Sequence, residues 1–454
     1  MAQAADAAVA GWSSARPRVG GDYGADGAVF ARFWLEAARL LARLPAKARR
    51  SVDEAATADF ILRTARETRE EFLAAHARTL YRALTREHAN FIRVETLVFD
   101  AARLVPGLVP TAEQVAAESE LPQRDKDGLE IDQGIFLSHV LADPASGMHL
   151  CHAMLLPRPE ALARLAEFRA QGRLDLGPAA IERQGKAAIV TLRNPRFLNA
   201  EDEATIDAAE TACDLAILDP ETEIAVLRGD VVEHAKYRGR RVFSAGINLT
   251  HLYHGKISYV WYIKRDMGAV NKIFRGLARP TASPDELAGG TLEKPWIAAV
   301  DTFAIGGGCQ YLLAMDYVVA GADAYMTLPA RKEGIIPGAA NLRLTRFTGA
   351  RIARQAIMYG RRLDCDTPEG RLLCDEIAPP DGMDAALAAV VEGFTSSGVV
   401  SAAGNRRAFR VAEEPLDLFR RYMAVYAREQ AYCHFSPALI SNLERNWNAQ
   451  QRKA

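Results

Sequence analysis

Lys294-Pro-Trp-Ile-Ala-Ala-Val-Asp-Thr-Phe-Ala-Ile-Gly-Gly-Gly-Cys-Gln310 is the stretch on which the fold turns. Its apolar run Trp296 to Val300 reads as a buried strand, and the three glycines that follow let the backbone turn and approach another chain segment closely. A helix beginning at that turn directs its positive end, and its unbonded N–H groups, at whatever sits there. No Gly-Lys-Ser/Thr follows, so the turn is not a phosphate-binding P-loop. Upstream, Ala187 to Leu192 and Glu223 to Arg228 are runs of the same kind, each followed by a helical pattern. That alternation predicts βα units on a parallel or mixed sheet, an α/β domain over residues 177–454.

Ahead of Gly177 the texture is helical. Phe30, Phe33, Trp34, Ala37, Leu40, Leu41 and Leu44 recur at steps of three and four. Ser51 with Glu54 reads as a capping box opening a helix that runs to about Leu84. Pro159 suits a helix start and Gly172 a stop, whereas Pro122 to Gly134 reads as a loop. These readings predict an all-helical N-terminal domain over residues 1–176 that packs on its neighbour or on another subunit.

With 56 Lys and Arg against 57 Asp and Glu among 454 residues, net charge −1, the chain has no field that would gather nucleic acid or anionic membrane. The longest apolar candidate for a bilayer span, Thr302 to Met315, is too short and is flanked by Asp301 and Asp316. The opening residues lack the basic start and apolar run of a signal peptide, so the cytoplasm is expected. The six cysteines show no C-x-x-C spacing and read as reduced core residues.

Three further segments belong with the first in order: Val190-Thr-Leu-Arg-Asn-Pro-Arg-Phe-Leu-Asn-Ala200, Val242-Phe-Ser-Ala-Gly-Ile-Asn-Leu249 and Gly334-Ile-Ile-Pro-Gly338. The ordered set resembles the enoyl-CoA hydratase/isomerase (crotonase) superfamily across most of residues 183–440. The resemblance implies a core of repeated ββα units that binds an acyl-CoA, and trimers or pairs of trimers. A thioester enolate carries charge on its carbonyl oxygen, which two fixed backbone N–H donors can stabilise. By position in the motifs these donors are Ile247 and Gly307, with Ala245, Gly246, Asn248 and Gly306 shaping the same seat.

The sequence then departs from the hydratases it resembles. Those carry a glutamate directly after the Gly-Gly-Gly-Cys run and another just after the proline upstream of Gly-Ile-Ile-Pro-Gly; here these positions are Gln310 and Ala330. Neither an amide nor a methyl group exchanges a proton usefully near neutral pH, which counts against hydration and leaves the enolate-forming half. Ala330 shortens the pocket wall, and Leu249, Ile335 and Ile336 add apolar bulk, a dry space suited to dioxygen. Within the superfamily this combination resembles a cofactor-free oxygenase branch of antibiotic biosynthesis that also has a helical domain ahead of its core. It implies aryl-acetyl-CoA and O2 as substrates, CoA being part of the substrate, with no metal, flavin or haem. The same resemblance offers Glu201 and Arg265 for two ring hydroxyls, although composition alone makes both solvated surface charges. Arg196, His234, Lys236 and Arg331 are cations available to the CoA phosphates and pantetheine arm.

The base that removes the α proton is not legible. The pairs His251/His254 and His149/His152 lack the converging carboxylate of an iron site, so no metal ligands are assigned. Two other readings stay open: a different crotonase-type reaction (thioester hydrolysis, decarboxylation, isomerisation), or a catalytically silent acyl-CoA-binding subunit.

Overall fold

The computed structural model describes residues 2–284, 290–379, 381–398 and 400–453. Helices fill the chain as far as Gln171. Tyr23–Ala42 buries Phe30, Phe33, Trp34, Ala37 and Leu40 on one stripe, as the spacing requires. Val52–Leu84 opens with the reciprocal Ser51/Glu54 capping box. Pro159–Gln171 ends at Gly172 in the left-handed conformation (φ 67°), a stop that glycine makes without strain. The expected loop over 122–134 is shorter than its composition indicates. Ile131 to Gly134 already form the first turn of helix Ile131–Ala142, and Gly134 lies in that helix because a neighbouring helix presses on it.

Strands start directly after Gly172: β1 (Arg173–Asp175), β2 (Ala179–Gln184), β3 (Ala187–Leu192), β4 (Ile224–Gly229), β5 (Trp296–Val300), β6 (Phe303–Ile305), β7 (Tyr317–Gly321), β8 (Tyr325–Thr327), β9 (Leu363–Asp364) and β10 (Glu376–Ala378). Seven form one sheet in the order β1-β2-β3-β4-β5-β7-β10, antiparallel through β1-β2-β3 and parallel from β3 onward. The second sheet, β6-β8-β9, lies beyond the end of β5. The central strands are buried on both faces, which is why they read as continuous apolar runs. β5 leads through β6 into the triple glycine and the helix Gly307–Leu312, so the sheet sets where that glycine turn points.

The last long helix, Leu416–His434, runs back to the N-terminal helices and packs along Ile131–Ala142. A Cβ on Gly134 would collide with Ala431 and lie 2.9 Å from the Ala427 carbonyl oxygen. One apolar core therefore joins the helices before Gly172 to Tyr259–Arg265 and Leu416–His434. A charged cluster ties the same regions together. The fully buried Lys272 ammonium lies 2.7 Å from Glu210 and 2.9 Å from Asp214, and Arg93, just ahead of helix Val94–Leu104, reaches Glu210 at 2.9 Å. Removing one member of such a cluster strands the others, at a cost of about 3–5 kcal/mol. Five of the six cysteines are buried, and among the described residues no single helix is long and apolar enough to cross a membrane.

Candidate active site

Two loops meet beyond the ends of the central strands. Ser244 accepts the Ile305 N–H at 3.0 Å, and Glu201 donates to the Gly246 carbonyl at 2.7 Å while accepting from Asn248 at 2.8 Å. Gly246 has φ +78°, and a Cβ there would lie 2.6 Å from the Ile305 oxygen and 2.8 Å from the Gly307 nitrogen. Only glycine permits this approach. It brings Ile247 and Gly307 to the wall of one small cavity, with about 390 Å³ of unfilled space including its mouth. No hydrogen bond among the described residues uses the Ile247 or Gly307 N–H. Two donors so held can stabilise charge on a carbonyl oxygen.

Behind the glycines sits a buried cation. Arg265, 2% exposed, clamps Glu201 with two bonds of 2.9 and 2.8 Å, donates to Asp266 at 2.9 Å and to Gln310 Oε1 and the Gly307 carbonyl at 2.7 and 2.8 Å. Tyr311 donates to the same Glu201 carboxylate at 2.9 Å, and its ring lies under the guanidinium. Burial works against the charge on Arg265, but the carboxylates of Glu201 and Asp266 outweigh it and keep it protonated. Asp266 is pushed up by burial and held back by Arg265. Glu201 and Arg265 are thus not the solvated surface charges that composition indicates. They are buried partners; Arg265 faces the cavity, and Glu201 stands behind it.

Gln310, Ala330, Ile335 and Ile336 line the cavity beside Ile247, Gly306 and Gly307. Leu249 packs against the helical core and is not part of the lining. Asn248 caps helix Leu249–Tyr253 and donates to Asp202 at 3.0 Å, so its side chain supports the loop. Ala245 lies with Val232, Val242 and Phe303 on the outer side of that loop. The cations expected for CoA lie away from the cavity wall: Arg196 stacks on Phe197, His234 and Lys236 are exposed on the 231–241 loop, and Arg331 is bonded to the Met358 carbonyl. The histidine pairs serve local contacts. His251 meets Asp202 at 3.0 Å, His254 the Arg452 carbonyl at 2.9 Å, His149 Tyr81 at 2.8 Å and His152 the Arg279 carbonyl at 3.1 Å.

The remaining lining was not visible in sequence: Trp261, Tyr262 and Asp266 from the segment after Ser258, Glu333, Pro337, and Tyr426 from the returning helix. Burial pushes the Tyr262 and Tyr426 phenols well above their ordinary range. It pushes the Glu333 carboxyl up to about 7. Glu333 follows Ala330 by three residues, which on a helix is the same face; that phase was the available signal.

The enoyl-CoA hydratase/isomerase family model matches residues 182–414. The chain is 47% identical over 393 residues to the (3,5-dihydroxyphenyl)acetyl-CoA 1,2-dioxygenase of Amycolatopsis orientalis, a match covering 86% of this chain and 89% of that protein. The chain belongs to the enoyl-CoA hydratase/isomerase family. A short-chain-enoyl-CoA hydratase of Clostridium acetobutylicum is 30% identical over 195 residues, 42% of this chain and 66% of the relative. A solved enoyl-CoA hydratase of Mycobacterium avium subsp. paratuberculosis K-10, 21% identical, covers 59% of this chain and 98% of its own with a TM-score of 0.49. In this chain an amide (Gln310) and a methyl group (Ala330) face the cavity.

Proposed function

We propose that this chain is a cofactor-independent dioxygenase that converts an aryl-acetyl-CoA thioester, specifically 3,5-dihydroxyphenylacetyl-CoA, and O2 to the aryl glyoxylate and free CoA, in antibiotic biosynthesis. The observation that carries this reading is 47% identity to the Amycolatopsis dioxygenase over 393 residues, well beyond the 182–414 family match and so including helical sequence ahead of it. Gln310 and Ala330 support it, since neither can activate water.

Loss of an α proton gives an enolate delocalised into the thioester and the ring, its oxygen held by the Ile247 and Gly307 N–H groups. The enolate donates one electron to dioxygen, and the radical pair combines at the α carbon as a peroxide. The terminal peroxide oxygen attacks the thioester carbonyl and expels CoA thiolate. The O–O bond then breaks as the second α hydrogen leaves as a proton, giving the keto group and the carboxylate. The substrate is its own reductant, which is the chemical case for needing no metal or flavin. Ala330, Ile335 and Ile336 form the apolar side where O2 waits. Gln310, its Oε1 held by Arg265, presents its amide N–H to a ring hydroxyl, and Arg265, fixed by Glu201, keeps that side of the wall polar. Trimers or pairs of trimers are part of the same reading.

The test is oxygen uptake by chelator-treated protein given 3,5-dihydroxyphenylacetyl-CoA, with thiol and glyoxylate measured alongside. Equal amounts of all three are expected, with a higher half-saturating O2 concentration in Ala330→Leu. Thiol release without oxygen uptake would make the chain a thioesterase-like member, and binding without turnover a silent acyl-CoA-binding subunit.

A further inference from the structure

We infer that Glu333 is the general base that removes the α proton of the acyl-CoA, a role that stands in this chain one helical step along from the residue at position 330. The inference rests on the enolate chemistry proposed above, which needs a proton acceptor inside the cavity. The lining offers few. Gln310 exchanges no proton, Arg265 stays protonated, and the Tyr262 and Tyr426 phenols are held above the useful range. Asp266 is engaged by Arg265 at 2.9 Å and by the Tyr426 hydroxyl.

Glu333 differs from all of these. It is 4% exposed and lines the cavity, and among the described residues no ion pair or side-chain hydrogen bond holds its carboxylate. Burial alone shifts it. An unpaired buried carboxyl costs stability, and no structural partner offsets that cost, which is the pattern of a functional group. Its backbone is fixed. The helix Ala330–Glu333 is closed by Gly334, where a Cβ would lie 2.9 Å from Leu439 Cα, and Asn446 donates to the Lys332 carbonyl at 2.8 Å. The segment that carries it is therefore held in place at the cavity wall.

The groups that share its cavity wall are Tyr262, Arg265 and Asp266 from the 259–270 segment and Tyr426 from the returning helix; Cys433 and His434 lie against Tyr262. His434 is kept neutral by burial, down at about 3, and the Cys433 thiol is raised. Arg331 and Lys332 on its own helix point to solvent. With its carboxyl at about 7, Glu333 is a carboxylate at mildly alkaline pH and basic enough to be useful there. In the step itself the carboxylate forms an O–H bond with the α proton, and the C–H electron pair passes into the thioester as the enolate. That proton goes to the departing CoA thiolate, which regenerates the base for the second α hydrogen.

The test is hydrogen exchange without oxygen. The full chain is incubated anaerobically in D2O with 3,5-dihydroxyphenylacetyl-CoA, and deuterium at the α carbon is followed by mass. Wild type is expected to exchange, whereas Glu333→Gln loses at least about a hundredfold in exchange rate with KM little changed. Glu333→Asp retains part of the activity with a displaced acid limb, the wild-type limb in kcat/KM lying near pH 7. Exchange by Glu333→Gln within a few fold of wild type overturns the assignment. If Glu333→Gln does not fold, an unmoved acid limb in Glu333→Asp overturns it. A wild type that neither exchanges nor consumes oxygen overturns the functional reading itself, whereas wild-type turnover with undiminished Glu333→Gln exchange removes only the base.

Discussion

Gly307 has no room for a side chain: a Cβ there would approach Glu201 Oε2 to 2.5 Å and Arg265 Nη2 to 3.0 Å. This separates two effects. Gly307→Ala adds the collision and keeps the N–H, whereas Gly307→Pro adds the collision and removes the donor. The expected gap between them is about a hundredfold in kcat, checked on protein shown to be folded, because that is the size of one lost oxyanion contact. Glu333 makes a prediction about stability. Its folded pKa, about 7, lies above the ordinary 4.5, so the folded state holds the proton more tightly and this side chain costs stability as pH rises through that window. Glu333→Gln should therefore be more stable than wild type at pH 8, by up to about 3 kcal/mol, with the gain vanishing below pH ~4.5. Urea unfolding at the two pH values measures it, and equal stabilities at both would contradict the burial of an unpaired carboxyl. At this scale the sequence was informative wherever the signal is local. Ile247, Gly307, Gln310 and Ala330 sit in or beside glycine motifs, and all four line the cavity. Tyr426 has no local signal, because the chain returns to the site only in three dimensions.

Elements with a period or a cap were legible. The Ser51 capping box, the Gly172 stop and strands β3 and β5 are where the pattern puts them. Strands of two or three residues (β1, β6, β8, β9 and β10) carry no periodic signal and were not read. The 122–134 stretch misled because polar and glycine residues there open a helix, with Gly134 chosen for contact rather than for a turn. That contact makes the packing of Ile131–Ala142 on Leu416–His434 brittle. Gly134→Val should destabilise the protein by about 1–3 kcal/mol or more through overpacking, read as a lowered Tm, and should perturb the Tyr426 side of the cavity. A Tm equal to wild type would mean the two helices are not in this contact.

For the whole molecule, the two textures of the sequence, helical before Gly172 and alternating after it, do appear in the fold. What composition did not reveal is how the last helices rejoin the first. Leu416–His434 carries Tyr426 into the cavity while its other positions pack against the N-terminal helices, and Arg420 bonds to the Leu141 carbonyl. The helical region thus supports a wall of the site from behind, and the Glu210–Lys272–Asp214 cluster with Arg93 fixes it to the core. The cavity that results joins two backbone donors, a polar side at Arg265 and Gln310, and an apolar side at Ala330, Ile335 and Ile336. This arrangement suits the enolate and dioxygen chemistry proposed above. In the proposed reaction both atoms of one O2 enter the product, through a peroxide closing on the thioester carbonyl. It is tested most directly by turnover of 3,5-dihydroxyphenylacetyl-CoA under 18O2 in ordinary water, with mass analysis of the glyoxylate. Two labelled oxygens are expected in each product, one in the keto group and one in the carboxylate. A single labelled oxygen, with the carboxylate oxygen drawn from water, would contradict it.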